Sequence, residues 1–367
     1  MNKTAAWPLA GIYAVLIIYA SLFPFENWRS QGVDWTAFLW APWPRYWTSF
    51  DVLSNVLGYA PLGFVVALAL QRSAPQWPAV ILTLAMGSLL ALAMESLQLF
   101  LPARVPSNLD WCLNSLGTLM GAGTAWILER FGFLDRWSRF RANWFLPDAK
   151  GSLVLLALWP VALLFPAPVP MGLGQVLERA EEALALWLQE TPWLDWLPVR
   201  EVELQPLLPF YEILCVSLGQ LLPCLLAFSL VRQGHQKVVS WFFLSGFGLL
   251  CTALSAALTY GPAHAWSWLS PQVQVALVLA ALAAWPLMWL KEKTLQVLAL
   301  VGLVLQLTLL NNASANVYFA LTLQNWEQGQ FIRFHGLIQW VGWLWPFVLL
   351  VYLMRRLSSA RHTKMSA

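Results

Sequence analysis

The chain has 367 residues and a formal net charge of +3 at neutral pH, with 59% of its residues hydrophobic and 11% charged. An ordinary soluble domain carries roughly 25% charged residues, so the composition excludes a soluble globular protein, and the small net charge argues against a nucleic-acid partner. Apolar stretches recur at the roughly 20 residues a helix needs to cross a bilayer, and the short alternating segments of a membrane β-barrel do not.

In chain order the apolar runs predict ten transmembrane helices, over 7–25, 52–71, 77–101, 111–129, 151–168, 209–231, 238–260, 272–290, 294–311 and 336–354. The first follows Lys3 and leads into Pro24-Phe25-Glu26-Asn27-Trp28 without a small-residue cleavage site, which reads as an uncleaved span. Residues 173–188 place Leu173, Val176, Leu177, Ala180, Leu184, Trp187 and Leu188 on one helical face, opposite Glu178, Arg179, Glu181 and Glu182. That pattern predicts a helix lying on the outer interface. Cys112, Cys215, Cys224 and Cys251 stand singly in apolar runs and read as small packing residues.

Ten spans put both termini on one side. With that side cytoplasmic, the inner segments hold 15 of the 21 basic residues, as the positive-inside rule requires. The expected location is the bacterial inner membrane, multi-pass, with both termini cytoplasmic. The expected fold class is all-α: a polytopic transmembrane bundle of about ten spans arranged as five antiparallel helix pairs.

A repeat is visible along the chain. The second span opens Asp51-x-x-x-Asn55-x-x-Gly58 and the fourth Asp110-x-x-x-Asn114-x-x-Gly117. The sixth keeps Glu212, Gly219 and Pro223, and the tenth His335, Gly342 and Pro346. This predicts a four-helix unit over 1–145, a degenerate second unit over 146–291 and a final helix pair with a basic tail over 292–367. The second unit has Glu212, Val216, Ser255, Leu258, His264, Ser270 and Gln274 at the matching positions.

Polar groups inside a membrane are expensive unless they satisfy one another. In the first unit they are dense: Asp51 and Asn55 on span two, Glu95 and Gln98 on span three, Arg104 in the following turn, and Asp110 and Asn114 on span four. Topology brings all seven to one depth, near the outer surface. They can form a packing network, a cation site of oxygen ligands, a proton-handling group, or an Arg104 fork for a phosphate. Asp51 and Asp110 also stand where a helix N-terminus favours negative charge, but capping does not explain Glu95. Gly117 and Gly121, like Gly58 and Gly63, are spaced for close helix packing. His264 and His335 lie apart from any zinc-like spacing, and the sequence names no cofactor and no oligomeric state.

These residues, taken in order, resemble the VanZ-like family: Ser21-Leu22-Phe23-Pro24-Phe25, Asp51-x-x-x-Asn55-x-x-Gly58-x-x-Pro61-x-Gly63, Glu95-x-x-Gln98, Arg104, and Asp110-x-x-x-Asn114-x-x-Gly117-x-x-x-Gly121. The resemblance covers about residues 10–130. It implies an integral membrane protein related to one linked to low-level teicoplanin resistance. Four functions fit the sequence. The preferred one is an envelope protein that binds or handles membrane lipids or a lipid-linked envelope precursor at the outer leaflet. The others are an enzyme acting on a phosphorylated lipid with Glu95 or Asp110 as acid or base, a proton-coupled transporter or flippase, and a scaffold for envelope assembly.

Overall fold

A computed structural model describes residues 6–23, 25–71, 73, 75–102, 104–165, 167, 169–196, 204–314 and 332–365. Its α-helices are α1 (Ala6–Leu22), a short α2 (Ala37–Trp40), α3 (Ser49–Leu70), α4 (Gln76–Gln98), α5 (Asn108–Arg130), α6 (Phe133–Trp144), α7 (Lys150–Leu163), α8 (Leu177–Leu188), α9 (Pro209–Phe228), α10 (Gly234–Tyr260), α11 (Pro271–Leu287), α12 (Glu292–Asn311) and α13 (Ile332–Met365). Among the described residues, β-pairing is confined to isolated bridges at Phe145 with Val231 and Gln205 with Ala313.

A helix occupies each of the ten predicted stretches, but only six of them, α3, α4, α9, α10, α12 and α13, are long and apolar enough to cross a membrane by length and composition. Helices α1, α7 and α11 are apolar but shorter. Helix α7 accommodates Pro160 and ends at Leu163, and the closely spaced Pro166, Pro168 and Pro170 that follow in the sequence, each lacking an N–H, disfavour its extension. Helix α5 has 23 residues yet is less apolar, because Asn108, Asp110, Asn114 and Thr118 lie along it. The chain is a multi-pass membrane protein, with ten full spans not required by these lengths.

Two compact units make up the chain, Met1–Arg139 and Phe140–Ala367. Within the first, the most extensive packing joins α3 to α5. A side chain at Gly117 would strike the Val56 carbonyl, one at Gly121 the Ala60 carbonyl, and one at Gly63 the Thr118 carbonyl. Backbone therefore touches backbone, the geometry small residues permit between membrane helices. Because residue 56 meets 117 and residue 60 meets 121, the two helices run parallel. The dominant contact thus joins non-consecutive parallel helices, where the sequence predicts antiparallel neighbours as the unit of packing. Gly58 takes no part, since a Cβ there would meet nothing within 4 Å. Helix α1 packs chiefly on α3, with the Tyr13 hydroxyl donating to the Gly58 carbonyl at 3.0 Å.

In the second unit α9 is central and is buried from Gly219 to Phe228, with α11 and α12 against it. Trp159, Phe228, Leu303 and Leu349 belong to its core. The predicted interfacial helix is shorter than 173–188. Leu173 lies in the core, and Asn311 pins the segment that follows by donating to the Gly174 carbonyl and accepting from the Val176 and Leu177 N–H groups. Helix α8 starts only at Leu177 and leaves Leu177, Leu184 and Trp187 exposed, as an apolar face turned to lipid would be. Cys215, Cys224 and Cys251 are buried free thiols.

Candidate functional site

The polar residues of the first unit collect at the end where α1 and α4 finish and α3 and α5 begin. Helix ends leave unpaired N–H or C=O groups, and in a bilayer each one unsatisfied costs several kcal/mol. At the start of α3, the Asp51 carboxylate accepts from the Thr48 N–H at 3.0 Å and the Thr48 hydroxyl at 2.8 Å, while the Asp51 N–H donates to Thr48 Oγ1 at 3.2 Å. This is a reciprocal capping box. At the start of α5, Ser107 Oγ accepts from the N–H groups of Leu109 and Asp110. Asp110 occupies the same helical position as Asp51, but its carboxylate accepts Asn55 Nδ2 from α3 at 2.9 Å. The equivalent aspartates therefore differ in use: one closes its own cap and the other ties two helices.

The opposite need arises at the end of α1, whose last carbonyls carry the negative pole of the helix. Arg104 donates to the carbonyls of Phe23 at 2.6 Å and Ala20 at 3.4 Å, and Gln98 Nε2 donates to the Ser21 carbonyl at 3.0 Å. Past these groups the backbone turns through left-handed conformations at Phe25 and Asn27. Glu95 is 3% exposed and accepts the Ser107 N–H at 2.8 Å. An anion thus sits at the positive start of α5, and a cation at the negative end of α1.

One turn deeper on α3 and α5, counting four residues from Asn55 and Asp110, lie Tyr59 and Asn114. Both are buried, and the Tyr59 hydroxyl and Asn114 Oδ1 have no hydrogen-bond partner. The Glu95 carboxylate acts electrostatically on Tyr59. Of the seven predicted site residues, Asn55 and Asp110 are joined to each other directly, and the bonds described for Asp51, Glu95, Gln98 and Arg104 go to Thr48 and to backbone groups. Among the described residues no three His, Cys, Asp or Glu side chains converge as a metal site. The cation-site reading of the three carboxylates therefore has no supporting geometry.

Residues 25–48 hold none of the predicted site residues. This segment is tied to the polar end by the Arg29 N–H on the Phe100 carbonyl at 3.0 Å, Gln31 Nε2 on the Leu99 carbonyl at 2.8 Å and Asn108 Nδ2 on the Ala41 carbonyl at 2.7 Å. Phe38 is buried, but Trp35, Trp40, Trp43, Tyr46 and Trp47 are exposed, Trp40 by 85% and Tyr46 by 94%. Arg29 and Arg45 are exposed among them. A short turn is held by Asp34, which accepts the N–H and the hydroxyl of Thr36, each at 2.8 Å. The backbone bond first, and the hydroxyl second, hold the Asp34 carboxyl below the usual carboxylate range. The signal available in the sequence was composition, since tryptophans and arginines alternate here outside any span.

No curated protein and no solved structure matches the chain. Residues 9–129 match the family model described as VanZ/LLP1, and that segment contains every helix end and every polar bond between them described above. Over residues 9–129, about a third of the chain, this multi-pass membrane protein is therefore similar to the VanZ/LLP1 family.

Proposed function

We propose that the protein binds a membrane lipid, or a lipid-linked envelope precursor, at the outer leaflet of the bacterial cytoplasmic membrane, with residues 25–48 as the contacting surface. The observation that carries this reading is the exposed row of Trp40, Trp43, Tyr46 and Trp47 beside Arg45, held on a polar network that is itself committed to helix ends. Tryptophan and tyrosine favour the headgroup level of a bilayer, and an unengaged guanidinium suits a phosphate. The excess of Lys and Arg in the segments on the other side supports the outer placement, with both termini cytoplasmic.

Glu95, Arg104, Asp51 and Asp110 serve here as framework, shaping the surface without touching the ligand. A further part of the reading is that the second unit is a degenerate copy of the first. Helices α9 and α11 make its most extensive interface, as α3 and α5 do in the first unit, and Ser217 on α9 donates to the Ala276 carbonyl of α11 at 3.0 Å.

The test is binding of phosphatidylglycerol and of a polyprenyl phosphate to the full chain in nanodiscs, read by native mass spectrometry. Replacing Trp40, Trp43 and Arg45 together by Ser, Ser and Gln is expected to weaken at least one ligand tenfold or more, about 1.4 kcal/mol, with thermal stability unchanged because all three side chains are exposed. Undiminished binding of both ligands would overturn the reading. In cells, loss of the same residues is expected to mimic gene deletion in teicoplanin susceptibility.

A further inference from the structure

The other half of the first unit, where α1 begins, holds a cavity of about 310 Å³ between α1, α3, α4 and α5. Its inner wall includes Ala10, Leu62, Thr83, Gly87 and Thr118, all buried, whereas Trp7 and Met86 at its edge are 47% and 40% exposed. It is therefore open on one side. The cause is visible in the helix contacts: α1 is anchored at its far end by Arg104 and Gln98 and leans on α3, and it touches α4 less extensively. Small residues at Ala10 and Gly11 leave the gap unfilled.

The two threonines do not make the cavity polar. Thr83 Oγ1 donates to the Ala79 carbonyl at 2.7 Å and Thr118 Oγ1 to the Asn114 carbonyl at 3.0 Å, each within its own helix. An apolar cavity of this kind does not retain water, and about half this volume, ~150 Å³, already admits a benzene ring. Helices α3 and α4 satisfy the length and apolarity of a membrane crossing, so the middle of each faces hydrocarbon. A void there leaves its lining without dispersion partners.

We propose that this cavity is a binding site for a single acyl chain of a bilayer phospholipid, entering between α1 and α4 past Trp7 and Met86. The site suits hydrocarbon, since its wall carries no charged side chain and both threonine hydroxyls donate within their own helices. It lies on the half of the unit away from residues 25–48 and does not depend on the outer-leaflet reading.

The experiment reconstitutes the full chain into phosphatidylethanolamine and phosphatidylglycerol vesicles containing a phosphatidylethanolamine with a diazirine on its acyl chain, and maps the photoadducts by peptide. Peptides holding Ala14 and Met86 are expected to be labelled several-fold above the exposed α10 surface at Phe243 and Leu250, which reports ordinary surface lipid. A Cβ at Gly11 meets nothing within 4 Å, so Gly11→Phe should fold, fill the cavity and cut that excess several-fold while leaving α10 labelling unchanged. Gly11→Ala should retain it, and Met86→Trp, at the rim, provides a second block. Labelling of α1 and α4 no higher than that of α10 would overturn the proposal, as would a Gly11→Phe protein with wild-type melting and undiminished excess. So would loss of a dimer in Gly11→Phe without any acyl excess in the wild type, which would place a second copy of the chain there. Failure of the nanodisc binding assay at Trp40 and Trp43 leaves all these readings unaffected.

Discussion

Glu95 is the residue whose sequence position was hardest to explain, and the structure gives it a plain task. It stands at the outgoing end of α4, where capping of its own helix would not need an acid, and it serves instead the start of α5 through the Ser107 N–H. The sequence places Asp51, Asn55, Glu95, Gln98, Arg104, Asp110 and Asn114 at one depth, and in the structure Asn55 bonds Asp110 while Glu95, Gln98 and Arg104 serve nearby helix ends at 2.6 to 3.4 Å. What it does not reveal is that the partners are mostly backbone groups, because a carbonyl at Phe23 looks like every other carbonyl until the chain is folded. Every residue carries the same C=O acceptor and every residue but proline the same N–H donor, so only geometry tells which are orphaned. From this follows a graded expectation. Glu95→Leu leaves a buried N–H unsatisfied and should destabilise the protein by about 2–3 kcal/mol. Glu95→Gln keeps an acceptor and should lose roughly half of that or less. Thermal unfolding in detergent measures both, and equal losses would show that the charge of Glu95, not its accepting oxygen, is what the fold uses.

At the level of helices, three residues of the two Asp-x-x-x-Asn-x-x-Gly spacings, Asn55, Asp110 and Gly117, serve one contact. Helices α3 and α5 lie parallel with carbonyls pressed against Gly117, Gly121 and Gly63, and Asn55 bridges their entrances. The sequence shows the small residues but not their direction of packing. Gly58 and Gly117 occupy equivalent motif positions, yet only Gly117 meets the partner backbone. The asymmetry arises because a parallel pair displaced along its axis presents different faces of two similar helices. Gly121→Ala should accordingly disrupt the pair and cost several kcal/mol, more than the 1–3 kcal/mol usual for overpacking, because its Cβ would meet main chain that cannot rotate away. Gly58→Ala should be neutral or stabilising by about 0.5–1 kcal/mol, the ordinary gain of alanine over glycine inside a helix. Melting temperatures of the two variants, measured side by side, separate packing glycines from incidental ones.

At the scale of the whole molecule, the bonds described at the capped end of the first unit are internal to that unit. All the polar bonds described at its capped end run between residues 20 and 110, its two apolar clusters draw only on residues up to Trp126, and the family match ends at residue 129. Apolar runs made the helices at the ten predicted stretches legible, since each is a run of hydrocarbon side chains whatever it packs against, whereas their number as membrane spans was not. The grouping into units was harder to read, because lipid-facing and helix-facing surfaces are equally apolar, as Leu57 exposed and Leu62 buried on the same helix illustrate. If the first unit is self-sufficient, residues 1–144, ending with α6 so that no helix is cut, should insert into membranes and melt cooperatively in detergent without the rest of the chain. Gly121→Ala should lower the melting temperature of this fragment in the same direction as in the full protein, since every atom it disturbs lies inside the fragment. A fragment that is degraded or fails to melt cooperatively, beside a stable full chain, would mean that the second unit completes the fold of the first.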